Sequence, residues 1–199
     1  MSQAPSGFER QALDLYQTPE WVAEAINEIV PVSGRIVWEP SVGPGRLAVA
    51  LRALGATVIG SDVVDYGSSH QAGIFDFLAE GPAPEFARSI HGIITNPPYG
   101  KRNAAAVTYI ERALTRIPSG GFVVLLLPAD FDHAKTRRHL FGDCRHFAGC
   151  ITLRRRIQWF EDGEHSNTQY HKLFIWQRIP IGQRLTPSIW YAPSGSEAA

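Results

Sequence analysis

The run Thr95-Asn96-Pro97-Pro98-Tyr99, behind the apolar stretch Ile90–Ile94, carries the residue types needed to hold a planar amino group. An amide oxygen and a nearby backbone carbonyl can each accept a hydrogen bond from an exocyclic NH2. Two consecutive prolines fix φ at about −65° and remove two donors, so the carbonyls around them point in set directions. Tyr99 adds a flat apolar face on which a planar group can stack. The competing reading is a proline turn after a strand, with Tyr99 as ordinary core.

A second constellation precedes it. Trp38-Glu39-Pro40-Ser41-Val42-Gly43-Pro44-Gly45 lies where a strand pattern gives way to a helical one. Gly43 and Gly45 allow the backbone to approach a ligand, and a helix N-terminus behind them supplies unpaired N–H groups. The loop departs from both the full dinucleotide glycine pattern and the phosphate loop with its lysine. Glu39 favours a cationic group beside the loop and opposes a pyrophosphate. The alternative here is a tight strand-to-helix turn bearing an exposed acid. Asp62 follows the next strand pattern at the position from which an acid can accept both ribose hydroxyls, and the alternative is a turn aspartate. Asp76-Phe77 follows a weak third strand; its acid could accept from an adenine amine and its ring could pack on the base.

The elements that position these residues alternate. Strands are predicted at Arg35–Glu39, Thr57–Ser61, Gly92–Thr95, Phe122–Leu127, Cys150–Arg156 and Tyr170–Trp176, with a weak one near Ile74. Helices are predicted at Pro19–Ile29, Gly45–Leu54, Ala104–Thr115 and Lys135–Phe141, the first with Thr18 as N-cap and Pro19 in its first position. Such alternation implies an α/β fold, with a mostly parallel sheet covered by helices on both faces. The last two strands are joined by the loop Gln158–Thr168 without a helix, which predicts an antiparallel hairpin. The expected layout is one domain over 13–191, with loose ends at 1–12 and 192–199.

Lys plus Arg and Asp plus Glu both count 19, so the net charge is zero and no global field draws the chain to nucleic acid or to an anionic membrane. Attraction to phosphate must be local, at clusters such as Lys135-Thr136-Arg137-Arg138 and Arg154-Arg155-Arg156. The two cysteines, Cys144 and Cys150, suggest neither a disulfide framework nor a cysteine-rich metal site. His133, His165 and His171 lack a metal-ligand spacing, so no metal is expected. The absence of a signal-like N-terminus and of a long apolar run leads to the expectation of a cytoplasmic protein without membrane contact.

Taken in order, Tyr16-Gln17-Thr18-Pro19, Glu39-Pro40-x-x-Gly43-x-Gly45, Asp62, Asp76-Phe77 and Asn96-Pro97-Pro98-Tyr99 resemble the S-adenosylmethionine-dependent amino-methyltransferases, above all the DNA adenine-N6 branch. Gly120–Pro128 is similar to that family's fifth strand and following loop. The resemblance implies a Rossmann-like class I fold with a seven-stranded sheet and S-adenosyl-L-methionine as cofactor. It places Tyr16, Thr18 and Pro19 over the cofactor's methionine end, with Glu39, Pro40, Gly43 and Gly45 around the methionine and sulfonium. It further assigns Asp62 to the ribose and Asp76 with Phe77 to the adenine. Asn96, which also borders the cofactor, and the Pro97 carbonyl would hold the target amine, with Pro98 fixing the turn and Tyr99 stacking on the base. Phe160 is the expected second stacking residue, with Trp159 as the runner-up.

The implied substrate is nucleic acid, DNA before RNA, and the implied reaction is methylation of adenine N6. A base methyltransferase of RNA (adenine N6 or guanine N2) is the first alternative. A protein-glutamine methyltransferase and a non-catalytic cofactor-binding subunit rank lower. The chain departs from sequence-specific DNA methyltransferases in having no recognisable target-recognition domain. Specificity is therefore expected in the loops Gly100–Asn103, Asp130–Arg138 and Gln158–Thr168, or in a specificity partner or homodimer. Lys101, Arg102, Lys135, Arg137 and Arg138 are the expected phosphate contacts.

Overall fold

The computed structural model describes residues 16–159 and 169–192. The expected loose ends, the greater part of the loop Gln158–Thr168, and Phe160 lie wholly or largely outside those residues.

In chain order the elements are α1 (Glu20–Ile29), β1 (Ile36–Glu39), α2 (Arg46–Ala53), β2 (Thr57–Asp62), β3 (Gln71–Ile74), β4 (Gly92–Thr95), α3 (Ala104–Arg116), β5 (Phe122–Pro128), β6 (Phe147–Thr152), β7 (His171–Gln177) and β8 (Ser188–Tyr191). They form one eight-stranded sheet in the order β3-β2-β1-β4-β5-β7-β6-β8. Pairings among β1 to β5 are parallel, β7 runs antiparallel between β5 and β6, and β8 adds to β6 in parallel.

Both faces are covered, and the side-chain alternation of β5 shows how. Val124 and Leu126 belong to a core shared with α1 and α2. Val123, Leu125 and Leu127 belong to a second core with Ile110 and Ala113 of α3. All seven residues of β5 are buried. A strand with both faces covered needs apolar side chains at successive positions, which explains a run that does not alternate.

Four expectations change in detail. α1 begins at Glu20 with Pro19 as its N-cap: Pro19 has an extended ψ of 154°, and its carbonyl accepts the Val22 N–H at 3.1 Å. Thr18 is buried instead of capping. The basic run Lys135–Leu140 is a 3-10 segment with one buried residue, Leu140, because it lacks the apolar stripe that would dock an α-helix. β6 begins at Phe147 and releases Arg154–Arg156 from the sheet; its register shifts between Phe147 and Gly149, the latter at φ +137°. β8 raises the strand number above seven. Its residues are largely exposed, so its sequence carries little of the burial pattern that identifies a strand.

Candidate functional site

The Glu39–Gly45 loop and the Asn96–Tyr99 run meet at the carboxyl ends of the parallel strands, where open α/β sheets bind ligands. Glu39 ends β1, Asp62 ends β2, and Asn96 follows β4 directly. The register pairs Glu39 with Gly60 and Trp38 with Ile93, which holds these strand ends side by side.

The loop after β1 is tied to β2. The Gly43 N–H donates to Asp62 Oδ2 at 2.9 Å, and the Val42 N–H donates to the Ser61 carbonyl at 3.0 Å. Asp62 Oδ1 accepts more weakly from the Val64 N–H at 3.3 Å. Gly43 and Gly45 adopt φ of +52° and +104°, the left-handed region that a side chain resists. A Cβ on Gly45 would stand 2.5 Å from the His70 ring. From the other side, the Tyr109 hydroxyl of α3 meets Ser41 Oγ at 2.5 Å and donates to the Pro40 carbonyl at 3.4 Å.

Glu39 is 2% exposed, which removes the reading of an exposed turn acid. Its Oε2 has no hydrogen-bond partner. Burial raises its pKa well above the carboxylate range, against the lowering effect of Arg52, with Asp62 adding to the rise. A buried carboxylate with an open oxygen is a place for a cationic or N–H-bearing group. The strand-end loop thus offers one acid suited to a cation and a second, Asp62, at the mouth of β2. These residues fit S-adenosylmethionine, which has a sulfonium, an amine and a ribose diol.

Asn96 lies between two fixed partners. Its Nδ2 donates to the Tyr16 carbonyl at 3.1 Å, and its Oδ1 accepts from the Tyr99 hydroxyl at 3.2 Å. The Tyr99 hydroxyl also lies 3.2 Å from the Leu126 carbonyl. Tyr16, from the segment before α1, therefore closes over the end of β4. Thr18 and Pro19 continue that segment as buried residues. Behind Tyr99 stands His171, 3% exposed, its ring 6.3 Å away at 31°. Its pKa is pushed down to about 4, chiefly by burial, against the raising effects of a Gln169 backbone hydrogen bond and of Asp130. Trp159 packs edge-on to His171 at 5.3 Å and lies 5.5 Å from Tyr16. In the sequence His171 is weighed only as a metal ligand; its signal for a buried place beside Tyr99 is its position on β7 in phase with the buried Leu173 and Ile175.

Other expected residues fall elsewhere. Phe77 is 1% exposed, stacked on Tyr109 at 4.5 Å with the Arg116 guanidinium over it at 4.6 Å. Its ring is core, packed between these partners. Arg116 also donates to the Phe77 and Ala79 carbonyls and so fixes this turn. Asp76 stays exposed, with Oδ1 accepting the Leu78 N–H at 2.8 Å. Of the expected phosphate contacts, Arg137 is engaged within the protein. It donates to the Phe131 and Arg102 carbonyls and covers the Phe131 ring at 4.0 Å, so it ties two loops together. Arg138 pairs with Asp143 at 2.9 Å, while Lys101, Arg102 and Lys135 are exposed. Among the described residues, no helix is long and apolar enough to cross a membrane, and no cluster of His, Cys, Asp and Glu could hold a metal ion.

No protein-family model matches the chain, and no curated protein matches it in sequence. Solved structures do resemble it. One is a protein described as a class I S-adenosylmethionine-dependent methyltransferase from Listeria monocytogenes (TM-score 0.63, 15% identity, 88% of this chain and 65% of that one). Another is described as an RNA methyltransferase from Pyrococcus horikoshii (0.65, 16%, 88% and 92%). A third is the methyltransferase subunit of a type I restriction-modification system from Streptococcus thermophilus (0.63, 15%, 83% and 45%). The chain spans less than two thirds of the first and less than half of the third. At these identities the likeness is one of fold: the chain has the Rossmann-like α/β architecture of the class I methyltransferases.

Proposed function

We propose that the protein is an S-adenosylmethionine-dependent methyltransferase acting on the N6 amino group of adenine in DNA. The observation that carries this reading is the Asn96 amide, fixed by the Tyr16 carbonyl so that Oδ1 faces the Tyr99 hydroxyl, beside strand ends bearing Glu39 and Asp62. When bound, the cofactor supplies a methyl group already activated on its sulfonium. Glu39 sits opposite the cationic portion, Asp62 accepts from the ribose, and Tyr16, Thr18 and Pro19 cover the methionine end. Asp76 remains the acceptor for the cofactor's adenine.

The target amine is a poor nucleophile because its lone pair is conjugated with the ring. Hydrogen bonds from NH2 to Asn96 Oδ1 and the Pro97 carbonyl favour a pyramidal nitrogen and aim its lone pair. Near-attack placement of this kind supplies on the order of 7–11 kcal/mol. Asn96 has no useful basicity, and none is needed before attack, since the proton leaves the methylated cation. Tyr99 offers the stacking face, with Phe160 or Trp159 on the other side of the base.

The restriction-modification relative favours DNA, and the RNA methyltransferase, of which the chain spans 92%, favours an RNA base as the alternative. Transfer of tritiated methyl to DNA, RNA and protein pools, followed by nucleoside analysis, separates them. Label in N6-methyladenine from DNA supports the proposal; label confined to RNA or protein overturns the DNA assignment.

A further inference from the structure

Beside the site, Arg46, Arg155 and Arg156 converge on a cleft of about 200 Å³ whose walls include Trp21 and Trp159. Trp159 joins it to the proposed amine site, since the same ring packs on His171 and Tyr16, and Tyr16 holds Asn96. In a chain with no net charge, three guanidiniums around one small cleft are a local concentration. The Arg155 guanidinium lies 5.5 Å from the Trp21 ring centre and that of Arg156 4.6 Å from Tyr170. Among the described residues neither forms an ion pair, while Arg46 has a loose one with the exposed Glu20 at 3.8 Å. The basic run that supplies Arg155 and Arg156 leaves the sheet after β6, and this departure presents them to the cleft.

We propose that this cleft holds the backbone of single-stranded DNA next to the target adenine. Arg155 and Arg156 each neutralise a phosphate, and Trp159, with Phe160 left to stack on the target adenine, lies against a neighbouring base. The proposal rests on the DNA methyltransferase reading above. Arginine's planar fork matches phosphate geometry, and aromatic rings stack on unpaired bases without regard to sequence. An adenine in a single strand is already unpaired, which avoids most of the cost of flipping it.

The test measures binding of a short fluorescent adenine-containing single strand to the full chain over a range of salt concentrations. Methylation of the same strand and S-adenosylhomocysteine affinity are measured alongside. For single strands, each phosphate contact contributes about 0.7 to the slope of log K against log salt. Arg155→Gln with Arg156→Gln is expected to flatten the slope by about 1.4 and weaken binding tenfold or more at low salt, with S-adenosylhomocysteine affinity unchanged. Arg155→Lys with Arg156→Lys keeps the charge and retains the slope, which separates charge loss from misfolding. An unchanged slope in the glutamine variant, with DNA methylation intact, overturns the cleft and leaves the function standing. So does a loss of cofactor affinity without a change of slope. A wild-type protein that binds and labels RNA but not DNA, or no nucleic acid, overturns both.

Discussion

The Tyr99 hydroxyl stands 3.2 Å from Asn96 Oδ1 and 3.2 Å from the Leu126 carbonyl, so one phenol proton has two acceptors within reach. This gives Asn96 a partner before any substrate arrives. An amide oxygen has two lone pairs, so an incoming amine can share Oδ1 or displace the phenol toward Leu126. Tyr99 is thereby both a stacking face and a guard on the acceptor.

Tyr99→Phe keeps the ring and removes the proton. The lost hydrogen bond is worth about 0.5–1.5 kcal/mol, so kcat should fall severalfold, up to about tenfold, with cofactor affinity unchanged. Steady-state kinetics together with calorimetry check this. An unaltered kcat would show that the hydroxyl does not steer Asn96.

Glu39 gives a dependence on pH with a definite sign. Its folded pKa is raised above 4.5, chiefly by burial, so the native state holds the proton more tightly than the unfolded chain. Stability without cofactor should therefore fall as pH rises from about 4.5 through the raised value. Cofactor affinity should climb over the same window, because the cation favours the ionised acid. Glu39→Gln should flatten both curves and weaken S-adenosylmethionine binding about tenfold or more, in line with the ~1.5–3 kcal/mol of a charged hydrogen bond. Calorimetric titrations across the pH range decide it, and parallel curves for variant and wild type would contradict it.

His171 acts in the opposite direction. Its folded pKa of about 4 lies below the ordinary 6.5, so the unfolded chain takes up the proton first. Stability should drop as pH falls from 6.5 toward 4, by on the order of 3 kcal/mol from this one group at full protonation. In His171→Phe the acid loss should shrink by that amount while the packing behind Tyr99 is largely kept. Urea denaturation at a series of pH values measures it; an identical acid limb in the variant would contradict it.

Gly45 should not tolerate a side chain. At φ +104° any L-residue is strained by about 1–3 kcal/mol, and an added Cβ meets the His70 ring at 2.5 Å. Gly45→Ala is expected to lower the melting temperature by several degrees and to impair cofactor binding through the displaced loop. A variant with wild-type melting and affinity would show that the loop has room.

Much of this architecture is written locally. The β5 run Phe122–Pro128 and the apolar period of α1 declare themselves because each satisfies its own burial pattern. The chain segments bearing Glu39, Asp62 and Asn96 were legible for the same reason: each acid or amide stands directly at a strand end. What escaped reading depends on neighbours remote in sequence. Phe77 is core because Tyr109 and Arg116 of α3 cover it. Arg137 ties two loops together because its guanidinium spans to Phe131 and Arg102. The Arg155–Arg156 cleft exists only because β6 ends at Thr152 and α1 brings Trp21 across to meet it. β8 is an edge strand whose exposed Ile189 and Tyr191 give no alternating pattern.

The central claim is that Asn96 holds the amine that receives the methyl group. Tritiated-methyl transfer by Asn96→Ala, measured on an adenine-containing single strand with S-adenosylhomocysteine affinity determined in parallel, tests it most directly. Turnover should be abolished, with cofactor affinity kept within a few-fold and the fold intact by circular dichroism. A folded Asn96→Ala protein that methylates at near the wild-type rate would contradict the account.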